Sequence, residues 1–260
     1  MDILESVQKT IKYAQKYGGQ LTEKQLFERL IGDKIYRKEE FAKIMQQAPL
    51  FRQLAEILPL TREAFLKEKI KKAEQLADKI SKNFKDILFL GITGSVAAGY
   101  PKKNNDIDLI IITKINKLWL VRLKLRFFVL INKIPHRKFG TKEKANEFCF
   151  NLWLDEKSLG LKKEKQNLKN AVDLILIKPL INQNKTYENF LLVNGWAKKY
   201  VATGYSELVD RSLIMDRRKK IKENLVDKMI NFLVFWSQFL YMKKKIKNEK
   251  VGLHEAFFHH

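Results

Sequence analysis

Two apolar runs, joined by a glycine-bounded turn, constrain this chain more than any other feature. Ile87-Leu88-Phe89-Leu90-Gly91-Ile92-Thr93 reads as one buried strand, and Asp106 to Thr113 (DIDLIIIT) reads as a second. The connection, Gly94-Ser95-Val96-Ala97-Ala98-Gly99-Tyr100-Pro101-Lys102-Lys103-Asn104-Asn105, begins with a Gly-Ser pair. Side chains alternate along a strand, so Asp106 and Asp108 point to one face with a single residue between them. Two carboxylates on a rigid face suit a hard divalent cation, and Mg2+ combines a few carboxylates with phosphate oxygens.

Ser95 is placed to open a short helix after the first strand, where backbone N–H groups lack partners and attract anions. Gly94 lets the backbone approach a phosphate. The bland alternative is a plain hairpin connection with two solvated aspartates. In this order and on adjacent strands, the two motifs resemble the DNA polymerase beta-like nucleotidyltransferase superfamily over roughly residues 84 to 180. Its core carries a hydrophobic-Gly-Ser motif, an Asp-x-Asp on the next strand and a third carboxylate on a later one. The order of motifs and the C-terminal helices also resemble stand-alone bacterial nucleotidyltransferase-domain proteins. The resemblance implies triphosphate binding at Gly94 and Ser95, and Mg2+ at Asp106 and Asp108 in a two-metal site.

The third strand of that pattern falls on Glu147 to Asp155 (EFCFNLWLD). Strict alternation puts Phe148, Phe150, Leu152 and Leu154 on one face, and Glu147, Cys149, Asn151, Trp153 and Asp155 on the other. The central position, where the third carboxylate is expected, is then Asn151. An amide ligates weakly and cannot act as a general base. Asp155 takes the role if the register differs.

Composition fits an enzyme acting on polyanions. The 260 residues carry 51 Lys+Arg against 29 Asp+Glu, a formal charge of +22, which points to RNA, DNA or nucleotide as partner unless it reflects an AT-rich genome. The segment Lys133 to Lys144 is densely basic and reads either as a polyanion-holding loop or as a solubilising turn. Cys149 is the only cysteine, which excludes an intrachain disulfide and a cysteine-based zinc site. The start, Met1-Asp2-Ile3-Leu4-Glu5, lacks a signal-peptide pattern, and a cytoplasmic location without membrane association is expected. The most apolar stretch, Met229 to Met242, is too short to span a bilayer and reads as a buried helix, with Phe232, Phe235, Trp236, Phe239 and Tyr241 in a core. Walker-type, Gly-x-Gly-x-x-Gly and His-Glu-x-x-His motifs are absent.

The expected architecture is α+β: a small mixed-sheet nucleotidyltransferase core flanked by helical N-terminal and C-terminal regions. Residues 1–60 read as short helices, including a capping box at Thr22 to Gln25, in a helix-turn-helix-like module or another small bundle. Residues 61–180 read as the nucleotidyltransferase domain, led by one long amphipathic helix. Residues 181–260 read as a helical cap. The expected reaction is Mg2+-dependent transfer of a nucleoside monophosphate from an NTP to a hydroxyl acceptor, with RNA the acceptor that fits the charge best. The alternatives are a catalytically weakened nucleotide- or nucleic-acid-binding protein and a helix-turn-helix regulator.

Overall fold

A computed structural model describes residues 1–47, 60–138, 141–212, 223–244, 246 and 249–258. The domain boundary expected near residue 60 adjoins segment 48–59, which lies outside these residues, as do His259 and His260. Helices α1 (Ile3–Lys16), α2 (Glu23–Glu28) and α3 (Lys38–Gln47) precede a long helix, α4 (Leu60–Asn83). Strand β1 (Ile87–Ile92), the short helix α5 (Gly94–Ala98), β2 (Ile107–Thr113), α6 (Leu118–Ile131) and β3 (Phe148–Asp155) follow. Then come α7 (Leu168–Leu176), β4 (Lys178–Asn182), α8 (Thr186–Val193), α9 (Ala202–Ser212) and α10 (Leu225–Lys243), with β5 (Lys250–Val251) and β6 (Glu255–Phe257) at the end.

The strands form one six-stranded sheet in the order β4-β1-β2-β3-β6-β5. Only β2 and β3 run parallel; every other neighbouring pair is antiparallel. The fold is therefore α+β, a mixed sheet flanked by helices. The region beyond residue 180 is not purely helical, since β5 and β6 return to extend the sheet past β3. Strands of two and three residues are too short to display an alternating pattern.

Each sheet face carries its own core. Ile107, Leu109, Ile111, Phe148 and Trp153 pack with Ala73, Leu76 and Ile80 of α4 and Leu118, Val121 and Leu125 of α6. Phe89, Ile110, Ile112 and Leu154 pack on the other side with α7, α8 and the turn Gly195–Lys199. The N-terminal helices form a third cluster that includes Ala98 and Tyr100, so they close over the turn after β1. Arg29 Nη1 donates to the Ala98 carbonyl at 2.8 Å across this contact. The capping box forms as the sequence dictates, with Thr22 Oγ1 accepting from Gln25 N and Gln25 Oε1 accepting from Thr22 N.

A bulge interrupts β3. Leu109 pairs with Phe150 but Ile110 pairs with Leu152, so Asn151 is the extra residue. The insertion reverses the side-chain parity. Phe148 and Phe150 accordingly face the first core, whereas Leu152 and Leu154 face the second. The expected common face for these four residues is corrected by this one insertion.

Asp155, the alternative third ligand, lies outside the cavity described below. Its fully buried carboxylate accepts from Asn116 N at 3.1 Å and Lys157 N at 3.0 Å, and it bonds His254 Nδ1 at 2.7 Å. It fastens the end of β3 to two loops. Replacing it strands buried donors, so Asp155→Ala should lower the unfolding free energy by about 2–5 kcal/mol in urea titration. A loss below about 0.5 kcal/mol, the size of an ordinary surface change, would contradict this anchoring role.

Candidate functional site

The turn after β1 and the start of β2 meet because the strands are antiparallel neighbours: Thr93 N donates to the Asp108 carbonyl at 2.9 Å. Gly94 takes φ +64°, a conformation that disfavours side chains, and a Cβ there would lie 2.5 Å from Asp108 Oδ2. Both facts demand glycine. They place the first N–H groups of α5 beside the carboxylate, and the Thr93 side chain makes no capping bond to them.

The segment leading into β2 is fixed by a buried ammonium. Lys69 of α4 is 1% exposed and donates to Asn105 O at 2.6 Å, Asn146 Oδ1 at 2.9 Å and Lys103 O at 3.4 Å. Asn105 Oδ1 accepts from Lys102 N at 2.7 Å and from Ser95 Oγ at 3.4 Å. The Ser95 hydroxyl is thereby tied to the loop ahead of the aspartates. Sequence reasoning missed Lys69, one lysine among many on a long helix.

Asp106 and Asp108 share a face, as their spacing requires. Their third neighbour is Cys149, which pairs with Asp108 across the parallel ladder. The ligand atoms of Asp106, Asp108 and Cys149 lie within 4.8 Å of one another. Asn151 sits in the bulge and lines one cavity with Asp106 and Asp108, while Cys149 is the residue level with Asp108 in the ladder. Arg137, from the densely basic segment Lys133 to Lys144, donates from Nη1 to Asp106 Oδ2 at 3.1 Å and from Nε to Thr141 O at 3.0 Å.

Asp106, Asp108, Arg137 and Asn151 line the floor of a cavity of about 480 Å³, and Cys149 lies behind the aspartates outside its lining. Gly94, Ser95 and Lys102 line one side, and Lys169 and Asp173 of α7 line another, with Tyr13 of α1, Tyr17 at its C-cap and Tyr100 completing the wall. Glu143 lies at the exposed rim. Burial, reinforced by Asp106, pushes the Asp108 carboxyl up to about 7, although a hydrogen bond from Cys149 opposes the shift. Burial and the two aspartates push the Cys149 thiol up, so it stays protonated and donates to Asp108. Burial also raises Asp173.

No family model, curated protein or solved structure matches the chain. The donor set itself decides what fits. Two carboxylates suit Mg2+ or Mn2+, while a protonated thiol is a poor ligand for a hard ion, so Asp106 and Asp108 are the residues able to hold it. A second metal would need oxygens from elsewhere, such as a bound phosphate chain.

The raised Asp108 carboxyl sets a pH dependence. In the unfolded chain it ionises near 3.8, and in the folded metal-free protein near 7. The folded state therefore favours the protonated form, and the stability this contributes is present below pH 4 and lost as pH rises through 7. The difference in melting temperature between the parent and Asp108→Asn, measured without metal, should shift in favour of the variant across that window. A difference constant from pH 4 to 8 would contradict the burial of this charge.

Proposed function

We propose that the cavity binds a nucleoside triphosphate with Mg2+ and transfers its nucleoside monophosphate to a hydroxyl acceptor, releasing pyrophosphate. The supporting observation is the convergence in one cavity of Asp106, Asp108 and the glycine-led N-terminus of α5. Backbone N–H groups at Gly94 and Ser95 would receive phosphate oxygens, since they carry the partial positive charge of a helix start. When bound, Mg2+ would neutralise charge developing on the leaving pyrophosphate and lower the pKa of the attacking hydroxyl.

In the reaction, the acceptor oxygen bonds to the α-phosphorus and the bond to the β-phosphate bridge oxygen breaks. The acceptor's proton has two carboxylates within the cavity to receive it, Glu143 at the rim and Asp173 on the opposite wall. Cys149 cannot take it while its thiol is protonated. The chain's +22 charge supports RNA as acceptor.

A second reading, a nucleotide-binding protein with little turnover, draws support from the neutral Cys149 beside the aspartates and from Arg137 already occupying Asp106. Labelled-NTP incorporation into a pool of cellular RNA and protein, with Mg2+ titrated, separates the two. Asp106→Asn with Asp108→Asn should abolish Mg2+-dependent NTP binding; undiminished binding would refute the site. Intact Mg-NTP binding by the parent without incorporation into any acceptor would favour the binding protein.

The geometry also specifies which substitution supplies the absent carboxylate. Cys149→Asp should tighten metal binding by about tenfold or more, the order of one added ligand contact, and Asn151→Asp should change it less. Calorimetry with Mn2+ on the two variants checks this order. The reverse order would place the bulge residue in the coordination sphere.

A further inference from the structure

Helix α10 is built inside out. Its buried positions are Asn231, Gln238 and Met242. Asn231 Oδ1 accepts from Trp119 N at 2.9 Å, and its Nδ2 donates to Leu253 O at 3.4 Å. Gln238 Oε1 accepts from Arg122 Nη1 at 2.5 Å, and its Nε2 donates to Trp119 O at 2.9 Å. The polar row faces the protein. The opposite row, Leu225, Met229, Phe232, Leu233, Trp236 and Leu240, follows helical spacing and is 43% to 69% exposed. The expected burial of Phe232, Trp236 and Tyr241 in a core is therefore corrected.

The apolar surface extends beyond this helix. Arg126 lies over the Tyr241 ring at 5.9 Å, which brings the C-terminal end of α6, with exposed Phe127, Leu130 and Ile131, to the same end of the helix pair. Water-facing helices of globular proteins show the reverse pattern, and an exposed apolar row of this kind marks a contact surface.

Charge decides what covers it. Along α6 and α10 the only acidic residue is Asp227, which is paired with Lys117 at 2.5 Å. Lys228, Lys243 and Lys244, on α10 and at its end, are exposed, as is Lys124 on α6. In a chain of +22, a second copy would set like charges against each other, whereas an anionic surface would attract every one of them. Trp236 and Tyr241 supply the aromatic rings that favour the headgroup region. Among the described residues no helix is long and apolar enough to cross a membrane, so the fit is to a surface and not to a span.

We propose that the exposed face of α10 and the end of α6 is an interfacial docking site for an anionic lipid bilayer. The apolar row enters the boundary between headgroups and acyl chains, the lysines meet lipid phosphates, and Asn231 and Gln238 hold the helix to the protein. The full chain should co-sediment with vesicles of phosphatidylcholine and phosphatidylglycerol, and at least about tenfold more weakly with phosphatidylcholine alone. The charge-neutral pair Leu233→Ser, Trp236→Ser should weaken vesicle binding by about tenfold or more while leaving the circular dichroism spectrum unchanged. Absence of vesicle binding would overturn the proposal. Binding unchanged in the double variant would overturn it too, because it would reflect the +22 charge alone. Light scattering that shows a dimer of the parent and a monomer of the variant, without vesicle binding, would assign the face to a second copy instead.

Discussion

The buried ammonium of Lys69 is the interaction on which the site most depends. A lysine removed from water survives only if its donors are satisfied, and burial here lowers its proton affinity. Its partners lie on the two segments that feed β2 and β3, at Lys103, Asn105 and Asn146. Asn146 N in turn donates to Asn105 O at 3.2 Å, and Ile107 N donates to Glu147 O at 2.9 Å. One cation thus draws both strand entries together, which sets Asp106 and Asp108 against Cys149. A helix on one face of the sheet thereby determines the geometry of a cavity on the other.

The parts of this arrangement governed by local periodicity were legible in the sequence. β2 pairs with β1 in steady register from Leu109 to Ile112, and its parity correctly put Asp106 and Asp108 on one face beside the Gly-Ser turn. In β3 the strict alternation breaks at Asn151. EFCFNLWLD alternates smoothly, yet the parallel ladder inserts one residue, and a bulge leaves no mark in an alternation that is apolar on both sides. Alternation put Cys149 on the face of Asn151, but the pairing that sets it level with Asp108 depends on the register with β2. Asp173 and the tyrosines of the opposite wall were hidden for another reason, since their meeting depends on how α1 and α7 fold over the sheet.

Helix α10 failed differently. Its apolar composition argued for burial, and composition alone does not say which face turns inward. The informative signal was the pair Asn231 and Gln238, seven residues apart and thus on one helical row in an otherwise apolar segment. Two amides on one row require partners when buried. The backbone of Trp119 and the side chain of buried Arg122 supply them, so the polar row turns inward and the apolar row faces out.

The distribution of charge bears on how a triphosphate would enter. The chain carries +22 overall, yet the cavity sets Asp106, Asp108, Glu143 and Asp173 against Lys102, Arg137 and Lys169. Four carboxylates facing three cations give no positive well for a polyanion. Arg137 is already committed to Asp106, and burial, with Asp106 beside it, makes ionising Asp108 costly. On the proposed reading, the polyanion becomes welcome only when a divalent ion neutralises the pair, and that ion competes with Arg137 for Asp106 Oδ2. Release of the guanidinium then frees a cation at the cavity wall, where phosphate oxygens can accept from it. On that reading the Arg137–Asp106 pair would keep the metal-free cavity closed to bare triphosphate and would leave a donor ready once metal and nucleotide arrived together.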